Sequence, residues 1–169
     1  MDKRQPELTR VEVSTPQALF GQVLDTVAGQ AFQAAGYTLQ PNPMHQSRGL
    51  FRYRKPLLAV DSLNVYIEWQ LLFYQGGPSR FRINLLRSTG PDARVGGDSA
   101  AAVETTLTKL VWEGFGVRQL SSPEHWWSFD SPNALGQAIA QAARLVFGFG
   151  IPWLEGTLPT TTDEDRFTP

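Results

Sequence analysis

Alternation of apolar and polar side chains between positions 63 and 85 is the feature that most constrains how this chain folds. Every odd position from Leu63 to Phe73 is apolar, whereas most of the even positions are polar. A period of two residues places these two sets on opposite faces of a β-strand. A Gly-Gly-Pro-Ser turn at 76–79 precedes a second alternating run, which predicts the returning arm of a β-hairpin. We therefore expect an antiparallel sheet with one face on a core and the other in water.

Two helices with the same start signal flank the predicted sheet. Ser14 or Thr15 caps the first at Pro16, and an apolar stripe then runs to a stop at Gly36: Phe20, Val23, Leu24, Val27 and Ala31. The second begins at Ser131 and Pro132, and we expect it to stop at Gly148 or Gly150. Residues 151–155 are predicted to be extended, because Pro152 should not continue a helix.

The remaining segments are weaker in pattern. Short strands are predicted at 37–40, 50–55 and 125–129, with a loop over 41–49. A further helix is predicted from a cap at Asp98 or Ser99, with an apolar stripe at Val103, Leu107, Leu110 and Val111. Three β-branched threonines at 105, 106 and 108 leave a strand in part of this segment as the alternative.

Composition restricts both the fold and its chemistry. The 169 residues fit one domain, and we divide the chain into an N-terminal extension (1–13), a single α+β domain (14–156) and a disordered tail (157–169). The predicted class is α+β, a mostly antiparallel sheet of three to five strands with helices packed on one face. There is no cysteine, so disulfides and thiolate chemistry are excluded. The formal net charge of −1 gives no overall attraction to nucleic acid.

The predictions of cellular location and of cofactors rest on sequence patterns that this chain lacks. No run of apolar residues reaches membrane-spanning length, and no apolar stretch follows the N-terminal charges, so a cytoplasmic protein that binds no membrane is expected. Neither a metal site nor a cofactor site is predicted, because the two histidines lie far apart and the Gly-Phe-Gly fragments lack a third glycine. Gly97-Asp98-Ser99 resembles an esterase nucleophile block, but no histidine follows an aspartate at the required spacing. Helix capping explains these residues better.

A charged surface is the main candidate site. Alternation brings six side chains to the polar face of the predicted sheet: Arg52, Arg54, Tyr66, Glu68, Arg80 and Arg82. Such a face suits an acidic protein partner or a phosphate, although cross-strand Arg–Glu pairing is the simpler interpretation. A second candidate is a pocket near His125, Trp126 and Trp127, where burial and Glu124 would act on the imidazole.

The order of these features resembles a known family. Ala35-Gly36-Tyr37 at a helix end, Phe51-Arg52-Tyr53-Arg54, Ile67-Glu68-Trp69-Gln70, Trp126-Trp127-Ser128-Phe129 and Gly150-Ile151-Pro152-Trp153-Leu154-Glu155 resemble the bacterial domain of unknown function 4304 family. This resemblance covers about residues 16–156 and implies a compact α+β fold without assigning catalytic residues.

The function predicted from the sequence is non-catalytic. We expect a binding or interaction protein, with an immunity-like protein partner as one form of it. The alternatives are an enzyme of unrecognised type, with His125 and Glu124 or Glu68 in a pocket beside Trp126, and a small-molecule-binding domain.

Overall fold

The computed structural model describes residues 14–58, 63–89 and 102–156. The strands are β1 (Thr38–Leu39), β2 (Leu50–Pro56), β3 (Asn64–Leu72), β4 (Ser79–Ser88), β5 (Ala102–Thr106) and β6 (Trp127–Phe129). The helices are α1 (Pro16–Leu24), α2 (Gln30–Ala34), α3 (Pro43–Ser47), α4 (Leu107–Lys109), α5 (Pro132–Leu145) and α6 (Ile151–Leu154). Three π-helical turns extend these helices, at Asp25–Gly29, Leu110–Gly114 and Val146–Gly150. The predicted α+β class is confirmed.

The strands form one antiparallel sheet in the order β1-β2-β3-β4-β5. Strand β6 pairs with β4 next to β5, so that two strands share one edge of β4. The predicted hairpin is the pair β3–β4, in which Trp69 lies opposite Ile83 and Gln70 lies opposite Arg82. Because partners across a ladder point to the same face, the sheet has an apolar face with Trp69 and a polar face with Arg82.

The hydrophobic core lies on the apolar face, beneath the helices. Helices α1 and α5 contact each other there, and Phe20 and Ile139 are both 0% exposed. Aromatic rings from the sheet continue the core, with Phe81 between Trp69 and Trp127 at centroid distances of 5.6 Å on each side. The large aromatic side chains therefore serve packing first, since each removes a large apolar area from water.

One described helix, Pro132–Leu154, is long and apolar enough to cross a membrane by length and composition. In this structure its inner side belongs to the core, where Leu135, Val146 and Leu154 are buried, whereas Gln141 and Arg144 are exposed. That arrangement is typical of the core helix of a soluble α+β protein.

The first helix begins as predicted, with the Thr15 hydroxyl accepting from the Ala18 amide at 3.1 Å, but its buried stripe differs. Val27 is 40% exposed and Ala31 is also exposed, whereas the buried positions after Leu24 are Ala28, Gly29 and Phe32. The π turn at Asp25–Gly29 is the reason, because it holds one more residue than an α-helical turn and shifts the core-facing positions toward the C-terminus.

Two predictions for the middle of the chain are wrong. Residues 102–106 form strand β5, so the alternative of a strand is the one observed, and the helix begins only after Thr106, whose hydroxyl accepts from the Lys109 amide. The proposed caps at 98 and 99 lie outside the described residues. The predicted loop over 41–49 contains α3, which Asn42 caps by accepting from the His45 amide at 3.1 Å.

The C-terminal segment is helical and not extended as predicted. The π turn Val146–Gly150 continues α5, and α6 follows with Pro152 in its first turn. Proline is accommodated within this continuous helix because it follows the π turn, whose wider hydrogen-bond spacing already interrupts the regular ladder of bonds from residue i to residue i−4. Glu155 then accepts hydrogen bonds from Lys55 at 2.6 Å and Tyr37 at 3.3 Å, which joins the helix end to the sheet. The predicted extension 1–13 and tail 157–169 lie outside the described residues.

Candidate functional site

The polar face of the sheet brings the sequence-predicted residues together. Strand register places Glu68 of β3 between Arg52 of β2 and Asn84 of β4. By the same register Tyr66 lies beside Arg54, and Gln70 lies beside Arg82. We define the polar face as the side chains that share this orientation on the three central strands: Arg52, Arg54, Asn64, Tyr66, Glu68, Gln70, Arg80, Arg82 and Asn84.

Much of this polar face is buried, in contrast to the solvated surface that the alternation predicts. Tyr66 is 1% exposed, Asn84 is 2% exposed and Glu68 is 3% exposed. Arginine side chains lie over the central strand, with the Arg52 guanidinium 5.5 Å from the centroid of the Tyr66 ring. Long arginine stems cover sheet surface while their charged ends reach polar partners, so a face rich in arginine can bury its own centre.

A hydrogen-bonded network holds the centre of the polar face. Arg52 donates to one oxygen of Glu68 through Nε at 3.1 Å and Nη2 at 2.7 Å, and Asn84 donates to the other oxygen at 3.0 Å. The side chains of Arg52 and Glu68 are 12% and 4% exposed. A carboxylate this deeply buried requires charged and hydrogen-bonded partners, which these contacts supply. The predicted Arg–Glu pairing is therefore present, but it involves one of the four arginines on this face.

The other three arginines bond to neutral groups. Arg54 donates to the Asn64 side-chain oxygen through Nε at 3.0 Å and Nη2 at 2.7 Å. Arg82 donates to the Gln70 oxygen at 2.9 Å, and Arg80 donates to the Tyr74 hydroxyl at 3.2 Å. In the part of the chain that the structure describes, none of these three has a carboxylate within salt-bridge distance. The polar face therefore carries positive charge that the fold does not neutralise locally.

Trp126 lies on this face and contacts two of those arginines. The guanidinium carbons of Arg80 and Arg82 are 5.0 Å and 4.9 Å from the centroid of the Trp126 rings, and Arg80 is also 5.6 Å from the Tyr74 ring. We call Tyr74, Arg80, Arg82 and Trp126 the arginine–tryptophan cluster. Contact with an aromatic face orders a guanidinium without neutralising its charge. Arg80 and Tyr74 are exposed, and Arg82 and Trp126 are partly exposed.

Sequence reasoning placed Trp126 in a pocket with His125 and Trp127, whereas in the structure His125 packs on Trp127 and Trp126 lies apart from both, against Arg80 and Arg82. Trp127 is buried in the core, stacked on Phe81, whereas Trp126 contacts arginines of the polar face. The signal that separates them was available, because adjacent residues of a strand point to opposite faces. Sequence reasoning missed the cluster member Tyr74, which follows β3, and the supporting amide of Asn84.

His125 packs edge-on against Trp127, with ring centroids 5.0 Å apart, and its Nδ1 is 3.0 Å from the Ser121 hydroxyl. Burial lowers the pKa of His125, because removal from water disfavours the imidazolium. Among the described residues Glu68 is bonded to Arg52 and Asn84 instead, and Glu124 is exposed with no ion pair to the imidazole. The acid that the enzyme hypothesis requires is therefore not beside this histidine.

A cleft of about 270 Å³ opens between the starts of α1 and α5. Its walls are mostly apolar, and its rim carries Asp130 and serine hydroxyls: the lining includes Leu19, Leu71, Phe73, Ser79, Ser131 and Leu135. Phe73 is 44% exposed there. Within residues 14–58, 63–89 and 102–156 no group of three or more His, Asp or Glu side chains could hold a metal ion.

Comparison with known proteins gives no family. No family model matches the chain, no curated protein matches it in sequence, and no solved structure matches it. The resemblance to the domain of unknown function 4304 family therefore stays a prediction, and functional inference depends on the geometry above.

Proposed function

We propose that this chain is a non-catalytic binding protein whose polar sheet face receives an acidic segment of a partner protein. The observation that carries the proposal is the arginine–tryptophan cluster, in which two guanidinium groups lie against one indole and have neutral hydrogen-bond partners. Arginine held in this way offers free N–H donors to a carboxylate at little further loss of side-chain entropy. Exposed tryptophan and arginine are also the residue types that dominate the energetics of protein interfaces.

The distribution of charge in the protein favours attraction of an anion at one place on its surface. The whole chain has a formal net charge of −1, so an anion is attracted by the cluster and not by the molecule as a whole. The carboxylates nearest in register are Glu68, which Arg52 already neutralises, and Glu104 of β5, which lies opposite Leu86 on the same face. In sequence the nearest is Glu124, which is exposed two residues before Trp126. An immunity-like role, in which the chain covers a functional surface of the partner, is one form of this proposal. A cytoplasmic location is part of this proposal, and a chain without cysteine needs no oxidising compartment in order to fold.

The test is a titration of the isotope-labelled protein with a synthetic peptide of alternating glutamate and glycine. We expect NMR shifts at the guanidinium N–H groups of Arg80 and Arg82 and at the Trp126 indole, which decrease as salt is added. The charge-reversed double variant Arg80→Glu with Arg82→Glu should abolish the shift of the Trp126 indole, the probe that this variant retains. Arg52 is left intact, because its removal would leave the buried Glu68 carboxylate without its cation.

The matched control is Arg118→Glu. Arg118 also lies on a tryptophan, 4.4 Å from the Trp112 ring, and donates to the Trp112 carbonyl at 2.8 Å, but it is outside the polar face. Its reversal should leave peptide binding unchanged. Equal losses in both variants, or shifts spread evenly over all arginines, would contradict the proposed face.

A second candidate function is small-molecule binding in the cleft between α1 and α5, favoured by its volume of about 270 Å³ and its apolar walls. A thermal-shift screen tests it, since a ligand at 100 times its Kd stabilises the native state by about 2.7 kcal/mol. Leu19→Arg should cancel any shift by filling the cleft with charge. A shift that survives this variant would assign the ligand to another site.

A further inference from the structure

We infer that the arginine–tryptophan cluster recognises a phosphorylated side chain of the partner protein, an inference that rests on the proposed function. The geometry is the convergence of two guanidinium groups on one indole: both carbons lie within 5.0 Å of the same ring centroid. A single carboxylate shares one negative charge between two oxygens. A phosphate monoester carries about −1.5 to −2 charges at neutral pH and presents three acceptor oxygens, which matches two adjacent guanidinium groups more closely.

The hydrogen bonds of the two arginines leave donors for such a group. Arg82 uses Nε for Gln70, and Arg80 uses one Nη2 contact for Tyr74. Each guanidinium has five N–H donors, so several remain on both. Because the partners are neutral, an incoming phosphate need not displace a carboxylate from either arginine. In this the pair differs from Arg52, whose Nε and Nη2 are already directed at Glu68.

The supporting contacts restrict where these donors point. Both guanidinium groups contact the Trp126 ring, and the Gln70 oxygen that receives Arg82 is itself contacted by Asn84 at 3.3 Å. Asn84 is 2% exposed and also bonds Glu68, so the position of Arg82 is linked to the buried network of the face. Phosphate recognition by arginine clusters depends on such prior ordering, since it avoids immobilising the side chains upon binding.

The test compares short peptides of one sequence whose central residue is phosphoserine, phosphotyrosine, glutamate or serine, in calorimetry with the full chain. We expect a phosphorylated peptide to bind about tenfold or more tightly than the glutamate peptide, and the serine peptide to bind most weakly. Inorganic phosphate is titrated separately. If it binds as tightly as the phosphopeptide, the ligand is free phosphate and the inference of a phosphorylated partner is overturned.

Two variants separate bidentate recognition from simple charge. Arg82→Lys keeps the charge but removes the fork of donors, so it should lose the preference for phosphate over glutamate while still binding both. Arg80→Gln tests the exposed arginine, whose removal leaves the buried network intact, and Arg118→Gln is the matched control. Retention of the full preference in Arg82→Lys would overturn the inference.

The outcomes distinguish this inference from the proposed function. If the glutamate peptide shifts Arg80 and Arg82 but phosphorylation adds nothing, the acidic docking face stands and the phosphate specificity fails. If neither peptide perturbs the cluster, both fail.

Discussion

The clearest consequence of the structure for stability concerns the buried Arg52–Glu68 pair. Replacing Arg52 with Met leaves a carboxylate that is 4% exposed without its cation. Loss of one partner of a buried ion pair typically costs about 3–5 kcal/mol. Asn84 still donates to Glu68 in the variant and Arg52 is itself 12% exposed, so we expect the lower end of that range, about 3 kcal/mol.

Urea unfolding followed by tryptophan fluorescence measures this loss, and a double-mutant cycle isolates the pair. The double variant Arg52→Met with Glu68→Met removes both charges, so it should lose about 1 kcal/mol or less, well below the summed losses of the single variants Arg52→Met and Glu68→Met. The control is Lys109→Met, which breaks an exposed pair with Glu113 at 3.9 Å and should change stability by less than about 0.5 kcal/mol. Additive losses in the cycle would refute the claim that the two charges depend on each other.

Three further predictions follow from single positions. Gly49→Ala should destabilise the folded protein by about 2 kcal/mol in thermal unfolding, because φ is +81° and the added methyl would lie 2.7 Å from the Leu71 carbonyl oxygen. The control Gly77→Ala should be neutral, because its added methyl would have no atom within 4 Å. Burial, with a smaller contribution from a nearby aspartate, raises the pKa of Tyr53 to about 12, so its contribution to stability is full below about pH 10 and is lost as pH rises toward 12. Tyr53→Phe should reduce that alkaline loss and be neutral or stabilising at pH 7, because the buried hydroxyl has no hydrogen-bond partner; an unchanged alkaline profile would contradict this. Burial lowers the pKa of His125 below 6.5, so its contribution is present above that pH and is lost on acidification, and His125→Asn should flatten the acid limb of the stability profile.

The sheet could be predicted because its information is local. In β3 and β4 the period of two residues predicts both the strand and the face to which each side chain points, and a glycine-rich turn joins the two strands. Capping signals were equally local, and both the Thr15 and Ser131 caps are observed. Such features depend on residues a few positions apart, so one sequence is enough to read them.

The burial of the polar face was not predictable in the same way. Alternation places Tyr66 and Glu68 away from the core but does not reveal that arginine stems from neighbouring strands will cover them. The neutral partners of Arg54 and Arg82 depend on strand register, which places Gln70 opposite Arg82 and Asn64 diagonally across from Arg54. The arrangement of charged and neutral partners on this face is a property of the assembled sheet, and no single segment of the sequence contains it.

The π-helical turns could not be predicted, because an apolar stripe in the sequence does not show that one helical turn holds an extra residue. Val27 fits a regular stripe in the sequence, and only the wider turn at Asp25–Gly29 turns it outward and brings Phe32 inward. Pro152 was predicted to end the helix for the same reason, because the sequence pattern does not reveal the π turn before it.

The three wide turns also affect how the chain tolerates changes in length. A π-helical turn holds one more residue than an α-helical turn, so we expect that deletion of one residue there restores regular α-helix and leaves the strand register unchanged. Length variation in a sheet would instead exchange inward and outward side chains along a whole strand. The helical layer is thus the part of this molecule that can gain or lose single residues while the arginine-bearing strands keep their alignment.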